Sequence, residues 1–226
     1  MSAWWTVVTD LGDTAVTLPL AALVLGFLLA AVWWRAALAW LAAIGGCGLA
    51  LALLKIALQS CSRVLVTDIH SPSGHTAMSV AVYGGLAVVL GLPLGRTARV
   101  LLAIAAGLLA LTVGASRIAV HAHTLPEVLI GGAIGLLAVA WLRPRLELPQ
   151  RPLPLLWLFP AVLAVIAAMH GAHWQIEERI RLLAAALGHA LPGCTAQAEQ
   201  SSPPPNGAAM AHQKWKAPER RSPSGA

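Results

Sequence analysis

"PSGHTAMSVAVYGGLAVVLGLPLGRTARVLLAIAAGLLALTVGASRIAVHAH", residues 72 to 123, is the stretch that decides the fold. Two apolar runs, Thr76 to Leu94 and Val100 to Ala115, are separated by the basic turn GRTAR. A membrane-crossing helix needs about 20 mostly apolar residues, so the stretch reads as an out-and-back helical hairpin, its second arm slightly short. The hairpin brings its two polar ends, PSGH and SRIAVHAH, to one side of the membrane and leaves the basic turn on the other.

The same length criterion marks further spans at Ala15 to Trp34, Ala36 to Leu58, Leu125 to Leu142 and Pro154 to Met169, the last interrupted by Pro160. The expected fold class is therefore an all-α integral membrane protein, a bundle of about six transmembrane helices. Composition agrees. The chain is 58% hydrophobic and only 11% charged, whereas soluble domains carry about 25% charged residues. Mean hydropathy is +0.74. Trp4, Trp5, Trp33, Trp34, Trp141, Trp157 and Trp174 lie at or near span ends, as an aromatic belt does. The reading divides the chain into a short N-terminal interfacial segment (1–14), a transmembrane domain (15–172), an amphipathic interfacial helix (173–195) and a disordered tail rich in Pro and Ser (196–226).

The formal charge of +6 does not indicate nucleic acid, because no basic stripe interleaves with aromatic residues. It reflects orientation instead. Arg35, Arg96, Arg99, Arg143, Arg145 and Arg151 share one face with Glu147 alone, and the positive-inside rule makes that face cytoplasmic. The expected location is a bacterial inner membrane, with the polar ends facing the periplasm. Cys47, Cys61 and Cys194 have no metal or redox spacing. The opening MSAWWTVVTDLGD lacks a positive n-region and carries Asp10 and Asp13, unlike a cleaved signal peptide.

The polar side gathers Lys55, Arg63, His75, Arg117, His121, His123 and Glu127. Ionisable residues beside a membrane are costly and imply function. Three fixed cations with one carboxylate, or two if Asp68 joins, are too poor in oxygen ligands for magnesium or calcium. They suit an anion with several oxygens, such as phosphate. Pro72, Ser73 and Gly74 stand just before a helix, where backbone N–H groups and the helix dipole make a second anion seat. Two histidines can then do the chemistry, one neutral ring attacking phosphorus and a protonated one donating to the leaving oxygen. His123 and Glu127 are four residues apart and meet on one helical turn. A carboxylate on one ring nitrogen fixes the tautomer and leaves the other nitrogen to attack. His75, on the neighbouring helix, is the candidate acid.

PSGH (Pro72 to His75) followed by SRIAVHAHTLPE (Ser116 to Glu127) resembles the type 2 phosphatidic acid phosphatase superfamily. That pattern runs Lys-x6-Arg-Pro, Pro-Ser-Gly-His, then Ser-Arg-x5-His-x3-Asp. The second motif matches fully. In the third, Ser116, Arg117 and His123 match, and Glu127 stands where the family has Asp. The first is degraded: Lys55 fits, Ser62 holds the arginine position, and Arg63 comes one residue late with no proline after it. The resemblance implies His123 as nucleophile, His75 as general acid and Glu127 as orienter. It implies Lys55, Arg117, Ser73, Gly74 and, with its slip in register, Arg63 as the phosphate seat. It implies a lipid phosphate or diphosphate as substrate, a phosphohistidine intermediate, and no metal or other cofactor.

Plainer readings stand beside these. His70, His121, His170 and His173 fit ordinary interfacial residues. Lys55 and Arg117 can snorkel, Glu127 can cap its helix, and Gly131 with Gly135 fits helix packing. Two rival functions are a b-type haem electron-transfer protein using His75, His121, His123 and His170, and an inactive lipid-phosphate binding or transport protein.

Overall fold

The computed structural model describes residues 3–60, 71–147, 155–172, 178–180, 182–183 and 186. Its described elements are helical: α1 (Ala3–Asp10), α2 (Thr14–Ala30), α3 (Trp34–Ser60), α4 (Gly74–Gly91), α5 (Arg96–Ala119), α6 (Leu125–Leu142), a 3-10 turn (Arg143–Arg145) and α7 (Leu155–Met169). The protein is an all-α membrane protein, with five segments long and apolar enough to cross a bilayer: Trp4–Ala30, Trp34–Gln59, Gly74–Gly91, Arg96–Ala119 and Leu125–Arg145.

The expected spans sit on these helices, with shifted ends. The first stops at Ala30, because Val32 takes a left-handed φ of 58° and turns the chain before Trp34. The third stops at Gly91. Pro93 follows in the turn, has no N–H to donate and cannot continue the ladder. The fourth is not short. It starts at Arg96 and runs 24 residues, because the arginines of GRTAR join its first turns, where their stems can lie along apolar surface. The sixth is a continuous helix through Pro160, which falls in its second turn and removes a single ladder bond. At 15 residues it is short of the usual span. It packs against α2 and buries Leu158 and Val162 in the core. Of the expected interfacial helix, the described residues 178–180, 182–183 and 186 are helical, and the expected tail lies outside the described residues.

α4 is the central helix and packs against α2, α3, α5 and α6. It can do so because its residues are small. Ala77 and Ala81 are fully buried, and Gly85 lets the Trp40 ring close on it. The Trp40 indole N–H donates to the Ala21 carbonyl at 3.0 Å, which joins α3 to α2. By contrast α5 presents Leu101, Ile104, Leu108 and Leu111 outward, as a lipid-facing helix does. Gly131 and Gly135 do serve packing. A β-carbon on Gly131 would collide with the Ser73 carbonyl, and one on Gly135 would stand 2.5 Å from the Ala77 carbonyl oxygen. This close approach presses α6 onto the start of α4 and sets the geometry of the site.

Candidate active site

The site begins at the N-terminus of α4. Ser73 caps the helix in extended conformation, its hydroxyl 3.4 Å from the Thr76 N–H and 2.9 Å from the Thr76 hydroxyl. That hydroxyl is fully buried, so its structural duty is to shape the turn. Gly74 opens the helix with its backbone partly exposed, and His75 follows with a side chain 16% exposed. The turn is held from α6, where the Glu127 carbonyl accepts from the Ser73 N–H at 3.0 Å.

The second half is the loop between α5 and α6. His121 takes a left-handed φ of 56° and is exposed. The N–H groups of Ala122 and His123 both point back to the Arg117 carbonyl, at 3.0 and 3.2 Å. The loop therefore folds under itself and returns His123 to the protein. The Glu127 carboxylate organises it. One oxygen accepts from His123 Nδ1 and from the Thr124 N–H, both at 3.0 Å, and the other accepts from the Ser71 N–H at 2.8 Å. The cap and the histidine partner, two alternatives in the sequence, are thus the same carboxylate acting at once. It also ties the PSGH turn to the His123 loop. With Nδ1 committed as donor, Nε2 carries the free lone pair.

Lys55 is 3% exposed and does not snorkel. A methyl group placed on Gly74 would stand 3.6 Å from its Nζ, so the ammonium is aimed at the first turn of α4. Arg117 closes α5, and its Nη1 donates to the Thr9 hydroxyl at 3.0 Å. Burial holds the His123 ring below the usual imidazole pKa, and the charges of Arg117 and Lys55 push the same way against the raising effect of Glu127. The net effect favours the neutral ring.

The structure thus brings Lys55, Ser73, Gly74, His75, Arg117, His123 and Glu127 to one end of the bundle. Arg63 lies outside the described residues. Among those residues, no three His, Cys, Asp or Glu side chains are grouped as a metal site requires.

The sequence reading missed the part that the N-terminus plays. The turn Thr9 to Asp13 reaches the same end. Thr9 meets Arg117, the Leu11 carbonyl accepts from the Tyr83 hydroxyl at 2.6 Å, and Asp13 Oδ2 lies 3.4 Å from His75 Nε2. Asp10 lies 3.9 Å from His170 at the end of α7, which brings that helix to the site as well. The available signal was a pair of carboxylates within an otherwise apolar stretch.

The described end of the bundle thus gathers two histidines, two buried or half-buried cations and a helix N-terminus. Residues 55–147 match the family model of the PAP2 superfamily. That is a phosphatase family, and the match supports chemistry on phosphate esters. No curated protein and no solved structure matches the chain. The family segment begins at Lys55 and contains both histidines and Glu127, while Thr9, Asp10 and Asp13 lie outside it.

Proposed function

We propose that the protein is a membrane phosphohydrolase that cleaves a lipid phosphate or diphosphate through a phosphohistidine, without a metal. The observation that carries this reading is the Glu127 carboxylate on His123 Nδ1, which leaves Nε2 as the free nitrogen of a ring close enough to Lys55 and Arg117 to feel their charges. Nε2 attacks phosphorus, the P–O bond to the lipid breaks, and His75 supplies the proton to the departing oxygen. Water then attacks the phosphohistidine, gives its proton to His75, and the P–N pair returns to Nε2. The cations supply the charge that a metal supplies elsewhere. A lipid substrate is favoured because the site lies at the ends of apolar helices, where headgroups sit.

Phosphate release from a panel of lipid phosphates by the purified protein tests this. Activity on at least one member should persist in EDTA and fall with vanadate, which occupies a phosphoryl seat. Activity that EDTA removes and magnesium restores sinks the metal-free mechanism, and no release from any lipid sinks the substrate class.

The site is proposed to face the periplasm of a bacterial inner membrane, since Arg35, Arg96, Arg99, Arg143 and Arg145 lie at the opposite end of the bundle. In cells depleted of native cysteines, a cysteine at the exposed Ala122 should react with an impermeant thiol reagent, and one at the exposed Thr97 should not. The reverse pattern places the site in the cytoplasm.

A further inference from the structure

Asp13 carries two roles that its sequence position does not announce. As N-cap of α2, it accepts the Ala15 N–H on Oδ1 at 2.8 Å. A cap needs one oxygen, and Ser or Asn provides it about as well as Asp. The second oxygen, Oδ2, lies 3.4 Å from His75 Nε2, with both side chains mostly enclosed. That is an ion-pair distance, longer than a tight hydrogen bond, and catalytic contacts of this kind often shorten when substrate arrives.

The pairing is built into the fold. Gly12 sits where a β-carbon would stand 2.5 Å from Val113 Cγ1, 2.9 Å from the Ser79 hydroxyl and 3.2 Å from His75 Cβ. The turn is therefore seated between α4 and α5, directly against the His75 side chain. Tyr83 pins it from α4 through the Leu11 carbonyl, and Arg117 pins it from α5 through Thr9. Three independent contacts leave Asp13 little freedom to swing away from the ring. Among the described residues, Lys55 on α3, Arg117 on α5, Glu127 on α6 and Asp10 on α1 are the other charged groups at this end.

We propose that Asp13 is the positioning residue of His75, holding Nε2 so that Nδ1 delivers the proton to the leaving oxygen. This rests on the reading of His75 as the general acid. In the first step the P–O pair leaves on the lipid oxygen, which takes the Nδ1 proton, while the Nε2 proton stays against Asp13. In the second step Nδ1 accepts the proton of the attacking water, and the ring returns to its starting state. Asp13 acts on both steps through the ring and touches no reacting atom. The positioning residue of His75 thus lies outside residues 55–147, at the N-cap of α2.

The test uses the full-length protein with dioleoyl phosphatidate, whose alkoxide needs a proton, and p-nitrophenyl phosphate, whose phenolate leaves without one. Asp13→Ser keeps a capping oxygen for Ala15 but has none left for His75. It should lose about 10–100-fold on phosphatidate, less than the roughly 10²–10⁴-fold that general acid catalysis supplies, and far less on the aryl ester. Asp13→Asn, which also caps, provides a second variant if the first does not accumulate. The double variant D13S/H75A should be no slower on phosphatidate than H75A, since Asp13 works through the ring. Equal losses on both substrates, an additive double variant or an unaffected Asp13→Ser each overturn the proposal and leave Asp13 a helix cap. If H75A alone shows equal losses on both substrates, the acid assignment of His75 falls, and this proposal falls with it. If H75A discriminates and Asp13→Ser does not, only the proposal is lost.

Discussion

His123→Ala should abolish turnover on every substrate, by on the order of 10⁴-fold or more, as removal of a covalent nucleophile does. The expectation rests on the ring's orientation. Its Nδ1 is committed to Glu127 at 3.0 Å, burial and two cations favour its neutral form, and its backbone N–H is folded back onto Arg117. Among the described residues, no neighbour is prepared in the same way. His121 is exposed and stands in a left-handed turn, two residues from the atom it would have to replace. Rapid quenching with a labelled aryl phosphate should trap an alkali-stable, acid-labile phosphoenzyme in the native protein and none in the variant. Label retained by His123→Ala would move the nucleophile elsewhere, with His121 the first candidate.

Glu127→Gln should be nearly as damaging while leaving the protein folded. With its oxygen in the Oε2 place the amide keeps Thr124 and His123 and sets its NH2 against the Ser71 N–H; turned over, it keeps Ser71 and sets its NH2 against the Thr124 N–H and His123 Nδ1. It cannot accept at every position where the carboxylate now does. If its NH2 group faces His123, Nδ1 must become the acceptor and the ring proton moves to Nε2, the nitrogen that attacks. The loss in kcat is expected to be on the order of 10⁴-fold, the scale of the wrong-tautomer effect in a serine-protease triad. Thermal stability should fall much less than activity. Glu127→Asp should fare better, since a carboxylate on Nδ1 is retained even if the shorter arm releases the Ser71 N–H. A harmless Glu127→Gln would reduce Glu127 to a cap.

The legible part of this protein was its longitudinal order. Hydropathy located each long helix, because a bilayer imposes one length scale on all of them. The hairpin of α4 and α5 was enough to place His75 and His123 at the same depth. Helix ends were less legible. Nothing local in AVWW announces that Val32 turns left-handed, and a pair of arginines in GRTAR looks like a boundary although α5 already contains them. The roles of Glu127 could be named but not combined, because one carboxylate reaching Ser71, Thr124 and His123 is a tertiary fact. Asp13 was visible only as a charge in an apolar segment. Its meeting with His75 across 62 positions of the chain has no local signature.

The turn from Thr9 to Asp13 has a consequence for biosynthesis. The site is assembled from residues as early as Thr9 and as late as Glu127, so no shorter stretch of the chain contains it. A ribosome delivers the N-terminal turn first, and that turn has nothing to seat against until α4 and α5 have entered the bilayer. The Glu127 carboxylate on His123 emerges later still, and His170 at the end of α7 after it. On the proposed mechanism, a half-inserted chain lying among lipid headgroups is chemically silent, and hydrolysis begins only when the bundle has closed around its own first helix.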